Sequence, residues 1–212
     1  MKRLMKLAVL LAAVAGPAAA GTVPGQEVPT TVPGQNAPAS NAVNDTARAR
    51  EYFTDTEVVD QNGRKLKFYS DVLQGKTVLI SLFYTTCTDA CPLVNATLAE
   101  VGDILGARLG RDIALVSLST MPETDTESVL PAYAARFHAG PGRLFLTGAP
   151  ESVKTLLAKL GQMGPPESHT SMLVLGNVDS GVWTRMAPNT PPPLIAAKLE
   201  LLADGKFGAE GG

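Results

Sequence analysis

Cysteine is nearly absent from this sequence: 212 residues carry two, Cys87 and Cys91, four positions apart. A disulfide scaffold needs more cysteines, spread widely along the chain, so this pair has another purpose. Aromatic residues make up only 5% of the chain and no cluster of Lys and Arg occurs, which excludes a nucleic-acid surface, where phosphate neutralisation demands a basic stripe. There are only two histidines, His138 and His169, and with no third cysteine and no second plausible histidine near the pair a closed structural zinc site is not expected. Beyond the N-terminus no apolar run approaches the length needed to cross a bilayer.

The N-terminus has its own pattern. Lys2, Arg3 and Lys6 precede the apolar run 7–15, and Gly16, Pro17 and three alanines ending at Ala20 follow it, as in a secretory leader cleaved after Ala20. The run is shorter than the roughly 20 residues of a comfortable span, so cleavage is expected over retention, and an uncleaved leader is the one route to a membrane. Export places the protein in the periplasm. Losing three basic residues and no acids takes the formal charge from -2 to -5, a mildly acidic mature protein.

Residues 21–46 are rich in Pro, Gly, Asn, Thr and Ala and repeat Thr-Val-Pro-Gly-Gln from Thr22 and again from Thr31, the composition of a flexible tether. The division expected is a signal peptide at 1–20, a tether at 21–46, a folded domain at 47–205 and a tail at 206–212. One domain of this size buries enough apolar surface to fold without disulfide staples.

Residues 52–59 and 65–68 read as strands of a hairpin, because Asn62-Gly63 supplies the positive φ that a tight turn requires. The run 77–84, Thr-Val-Leu-Ile-Ser-Leu-Phe-Tyr, reads as a central strand covered on both faces. From Pro92 the spacing turns helical, with Val94, Leu98, Val101, Leu105 and Leu109 on one stripe and Gly110 as the stop. Residues 113–118 form the next buried strand, and Thr124 with Glu127 matches a capping box for a helix through Leu130, Tyr133 and Phe137. A short strand at 144–146, a helix from Pro150 to Gly161, strands at 171–175 and 182–186, and a helix at 193–203 complete the chain. Strands alternating with helices give an α/β fold with a mixed sheet covered on both sides.

Cys87-Thr-Asp-Ala-Cys91 follows the central strand directly, where such sheets bind ligands. Two thiols one turn apart, about 6 Å along a helix axis, can share a metal ion or close a disulfide. As a staple the pair is weak, since so short a loop gains only about 2 kcal/mol. A helix start favours the thiolate, and with it reactivity or metal binding over an inert buried role. His169 lies in a loop ahead of the strand 171–175; its residue type and position alone fit a solvated side chain as well as a ligand.

The stretch from Phe83 to Pro92, Phe-Tyr-Thr-Thr-Cys-Thr-Asp-Ala-Cys-Pro, with Ser119-Thr-Met-Pro-Glu-Thr-Asp-Thr126, Leu146-Thr-Gly148 and His169-Thr, resembles the Sco (SenC) family of copper metallochaperones over about residues 54–185. The resemblance implies a thioredoxin-like fold, with a mixed central sheet flanked by helices and an N-terminal β-hairpin. It also implies copper bound by Cys87, Cys91 and His169, and a role in assembling the binuclear copper site of cytochrome oxidase by delivering copper, by reducing the target's cysteines, or by both. Two soft thiolates suit Cu(I), and an added imidazole lets the site hold Cu(II) as well. The partner implied is a copper-bearing respiratory subunit of the cytochrome oxidase subunit II type, approached by a monomer. The same dithiol without metal can exchange with a partner's disulfide, so a thiol-disulfide oxidoreductase is the alternative.

The sequence departs from the family pattern at three places. Thr88 replaces a usual proline, Met121 replaces the first acid of an Asp-Pro-x-x-Asp segment in which Pro122 and Asp125 remain, and the connection from Gly148 to His169 is short. Among other residues, His138 reads as a helix C-terminal partner, and Met163, Met172, Met186 and Trp183 as packing.

Overall fold

In the computed structural model of the protein, the described residues are 42–162, 164–165 and 172–206. The leader expected at 1–20, most of the tether, Met163, His169 with its neighbours and the tail beyond Lys206 lie outside them. Among the described residues no helix is long and apolar enough to cross a membrane.

The elements run α1 (Ala42–Phe53), β1 (Glu57–Asp60), β2 (Lys65–Lys67), β3 (Thr77–Phe83), α2 (Ala90–Leu105), β4 (Ile113–Ser119), α3 (Leu130–Ala135), β5 (Arg143–Thr147), α4 (Pro150–Lys159), β6 (Leu173–Asn177), β7 (Val182–Met186) and α5 (Pro192–Ala203). One seven-stranded sheet has the order β2-β1-β5-β4-β3-β6-β7. Strands β3, β4 and β5 are parallel neighbours, in register Thr77 to Ile113 and Leu115 to Arg143. The outer strands β1, β2, β6 and β7 pair antiparallel, so the sheet is mixed.

The two central strands are buried at every residue, which explains their unbroken apolar sequence. On one face Val94, Leu98, Val101 and Leu105 of α2 pack with Ile195, Ala196, Leu199 and Leu202 of α5 over Leu79, Leu115 and Leu175. On the other face Ala49, Phe53, Val153 and Leu156 of α1 and α4 cover Val78, Ile80, Val116 and Leu118. The helix stripe read from Val94 to Leu105 is thus the buried one, and its period of 3.6 residues is the reason.

The hairpin turn is held by Asp60, a buried carboxylate that accepts the amides of Asn62 and Arg64, both at 2.9 Å, while Gly63 takes φ 75°. Several expectations shift. Tyr52 and Phe53 finish α1 rather than open a strand, because Phe53 must bury its ring against Phe68 and Trp183, at centroid distances of 6.1 and 5.3 Å. Helix α1 begins at Ala42, inside the stretch read as tether. Helix α2 stops at Gly106, φ 52°, four residues before the expected glycine. The capping box at Thr124 does not form: the Thr124 hydroxyl bonds back to the Met121 carbonyl at 3.1 Å, and α3 spans only Leu130–Ala135. The competing demand is on Asp125, whose carboxylate turns inward.

Candidate metal and thiol site

Strand β3 ends at Phe83, and the next four residues carry the chain from the centre of the sheet to Cys87. This loop is pinned from the side. Asp125, fully buried, accepts the Thr85 amide at 3.0 Å, the Thr85 hydroxyl at 2.5 Å and the Ser119 hydroxyl at 2.5 Å, and Ser119 in turn accepts the Met121 amide at 3.0 Å. The ends of β3 and β4 and the loop after each are therefore joined through one carboxylate. Three short hydrogen bonds converging on one buried side chain make this joint stiff.

Helix α2 starts at Ala90, and the Asp89 side chain makes no capping bond. The Cys87 sulfur takes that place, accepting the Cys91 amide at 3.4 Å. Amides exposed at a helix start need acceptors, and a sulfur carrying negative charge suits both the free N–H and the positive end of the dipole. The two thiols are consequently unlike. Cys87 is half-buried, whereas Cys91 is 2% exposed and packs with Phe83, Leu130, Tyr133, Phe137 and Phe145.

Their proton affinities separate accordingly. Burial works against ionisation of Cys87, but hydrogen bonds from the Cys91 thiol, the Cys91 and Asp89 amides and the Tyr84 side chain outweigh it and hold Cys87 below the ordinary thiol value. Burial first, then the hydrogen bond to Cys87, pushes Cys91 up to about 12. The pair is thus asymmetric, with Cys87 the more acidic sulfur and the Cys91 thiol a hydrogen-bond donor to it. Such a pair offers a soft anionic donor to a metal or an attacking thiolate to a disulfide, with a second sulfur in reserve.

The structure brings Cys87 and Cys91 together as their spacing implies. His169, the third ligand expected, lies outside the described residues. Among the described residues no group of three or more His, Cys, Asp or Glu side chains is assembled. His138 is exposed at φ 53° with its Nδ1 4.0 Å from the Asp103 carboxylate. Met121, where the family has an acid, is half-buried, and its backbone closes the turn that aims Asp125. Met186 packs in the α2–α5 core, and Trp183 lies against Phe53.

Sequence reasoning did not assign the roles of Thr85 and Ser119, nor the buried network in which Arg143 donates to the Ser117 hydroxyl at 2.9 Å and to the Asn95 Oδ1 at 2.7 Å, Asn95 donates to the Tyr133 hydroxyl at 3.1 Å, and Ser117 shares a hydrogen bond with Ser81 at 2.8 Å. Asp125 carried a signal, as a retained position of the family's acidic segment. Asn95, one turn after Cys91, offered another, since a polar residue interrupting the apolar face of α2 needs a buried partner.

Comparison with known proteins matches residues 44–204 to the SCO1/SenC family model. The SCO2-like protein of Rickettsia felis is 36% identical over 105 residues, 50% of this chain and 49% of that protein, so the chain spans about half the length of the curated relatives it matches. Among solved structures, Bradyrhizobium japonicum ScoI with copper bound is 25% identical with a TM-score of 0.59, over 69% of this chain and 96% of that one. BsSco, described as having a disulfide switch and as a member of the Sco family of cytochrome c oxidase assembly proteins, is 23% identical with a TM-score of 0.60, over 72% of this chain and 93% of that one. These neighbours share the thioredoxin-like fold.

Proposed function

The chain belongs to the SCO1/SenC family, and from that premise we propose that it takes up copper in the periplasm through Cys87, Cys91 and His169 and serves assembly of the copper site of a respiratory oxidase. The observation that carries this reading is the bond from the Cys91 amide to the Cys87 sulfur at 3.4 Å, which holds the more acidic Cys87 thiol beside the buried Cys91 thiol. Copper is the cargo. The accessible Cys87 thiolate meets it first, and the Cys91 proton leaves as the second sulfur joins, so uptake is favoured by rising pH. Thiolates select Cu(I), and the His169 imidazole extends the set to Cu(II). Support for copper comes from the Bradyrhizobium neighbour, and for an oxidase subunit as client from the description of BsSco. A leader at 1–20 would deliver the domain to that compartment and the Pro/Gly-rich tether would give it reach.

Copper titration of the reduced protein tests this. Wild type is expected to bind one equivalent with a thiolate absorption that a Cys87→Ser, Cys91→Ser, His169→Ala variant lacks. Equal uptake and identical spectra in both proteins overturn the reading.

A second reading, thiol-disulfide exchange with a partner, is favoured by the same asymmetry, since the half-buried, more acidic Cys87 thiol can attack while the buried Cys91 thiol resolves. Under it His169→Ala keeps activity toward a partner disulfide and Cys87→Ser abolishes it; equal loss in both counts against exchange as the main role.

A further inference from the structure

Helices α1 and α4 leave a cleft where they meet β6 and β7 at one edge of the sheet, on the face turned away from α2 and the dithiol. It encloses about 720 Å³, within the roughly 300–1,000 Å³ of small-molecule sites. Its floor is apolar, built from Ala49, Phe53, Leu160 and Val174 with the indole of Trp183. Phe53 is buried, but Trp183 is only half-buried and Tyr52 is exposed, so aromatic surface stays open along the cleft.

The rim carries the opposite chemistry. Arg48 from α1, Lys159 from the end of α4 and Arg185 from β7 line it, and among the described lining residues there is no Asp or Glu. Three cations without an acid form a local excess in a chain whose formal charge is -2. They come from three separate elements, so the sheet and two helices had to fold before the group existed. The Lys159 ammonium donates to the Tyr52 carbonyl and lies over the Tyr52 ring at 5.1 Å, while the Tyr52 hydroxyl donates to the Lys159 carbonyl, which ties α1 to α4 at the mouth. Arg185 reaches from β7 to the end of α4, its Nη2 3.8 Å from the point where a Cβ on Gly161 would stand, and it forms no ion pair with a described residue.

We propose that this cleft is a second binding site, for a small molecule with a flat apolar body and one anionic group such as a carboxylate, sulfonate or phosphate ester. The apolar body gains transfer free energy against Trp183 and the floor, and the anion is drawn to the rim between Arg48 and Arg185. Charge complementarity sets the sign of the ligand, since a cationic or doubly basic molecule meets three like charges. A concave volume with tied walls suits a compact ligand, whereas a lipid surface calls for a protruding basic patch with apolar side chains at its tip. The site takes nothing from the dithiol, and neither cysteine lines it.

The test uses the metal-free full chain, anilinonaphthalene sulfonate as a probe of this chemistry, and Trp183, the only tryptophan, as reporter. One equivalent of probe is expected to bind and to quench the Trp183 emission as its own fluorescence rises. Arg48→Gln combined with Arg185→Gln, both exposed side chains, is expected to weaken binding about tenfold. Arg111→Gln combined with Lys154→Gln makes the same change of charge at exposed positions outside the cleft and is expected to stay within about twofold of wild type. Phenylnaphthylamine, which has the same rings without the sulfonate, is expected to quench Trp183 as well and to be indifferent to the Arg48 and Arg185 changes.

Uptake of the sulfonate probe without quenching of Trp183 overturns the proposal, as does an equal loss of affinity in the two charge variants or for the two probes. Sedimentation with phosphatidylglycerol vesicles in the absence of stoichiometric probe binding would assign the basic rim to a membrane surface and overturn it too. Since the measurement needs neither metal nor thiol, failure to bind copper would sink the proposed function and leave this inference untouched, and the reverse holds equally.

Discussion

Asp125 accepts both the amide and the hydroxyl of Thr85, forty residues earlier in the chain, at 3.0 and 2.5 Å. This pairing turns a loop that would otherwise be free into a fixed approach to Cys87. The adjoining departure, Met121 in place of the first acid of the motif, leaves Asp125 as the acid that holds the loop.

Replacing Asp125 by Ala strands three buried or half-buried donors, and a loss of about 3 kcal/mol in unfolding free energy is expected. Asp125→Asn keeps the shape and one of the two acceptor oxygens and is expected to lose about half as much. Urea unfolding monitored by circular dichroism measures both; an Ala variant as stable as wild type would show that the loop is held elsewhere.

The two thiols predict opposite pH effects. Cys87 ionises below the free-thiol value of about 8.5, so its alkylation by iodoacetamide at neutral pH is expected to outpace that of a free cysteine peptide and to level off earlier as pH rises. Cys91→Ala removes the donor thiol and is expected to move the Cys87 profile upward. For Cys91 the folded-state value is raised to about 12, so the unfolded chain loses that proton first. Its contribution to stability is present below the ordinary thiol range and is lost as pH climbs from there toward the folded-state value, which unfolding titrations in alkaline buffers would follow.

Gly176 on β6 faces Trp183 on β7 so closely that an added Cβ would lie 2.2 Å from the indole ring. Gly176→Ala is expected to cost about 2 kcal/mol through displacement of the ring. Adding Trp183→Ala should remove most of that penalty, so the two changes are expected to be strongly non-additive in a double-mutant cycle. Additive costs would mean that the ring swings away freely.

Leu98 is fully buried midway along α2, in the layer shared with α5. Leu98→Ala is expected to lower stability by about 3 kcal/mol. Because the Cys87 sulfur caps the same helix two turns earlier, alkylation of Cys87 offers a second readout. Unchanged reactivity in the folded variant would show that the helix start is set by the Asp125-held loop rather than by the packing of α2.

The parts of this architecture written as local repetition were readable from the chain. Residues 77–83 and 113–119 announced buried strands by continuity, the α2 stripe by its period, and the hairpin by Asn62-Gly63. Helix α1 was missed because its buried residues, Ala49 and Phe53, interrupt a polar stretch too sparsely to give a period. The capping signature at Thr124 failed for a tertiary reason, since the buried Asp125 beside it was committed to Thr85 and Ser119. The dithiol was legible because spacing alone brings its sulfurs near. The Arg143 network was not: its members sit on five separate elements, and each looks ordinary until the sheet aligns them.

Strand β3, buried at all seven of its residues and bonded on both sides, is the least mobile support the sheet can offer. Its amides should be among the last to exchange with deuterium, and the sulfur closest to it inherits that stillness. Any visitor to the dithiol must therefore bring its own motion: the protein presents Cys87 as a doorstep and keeps Cys91 indoors, so the order in which the sulfurs are touched is decided before anything arrives.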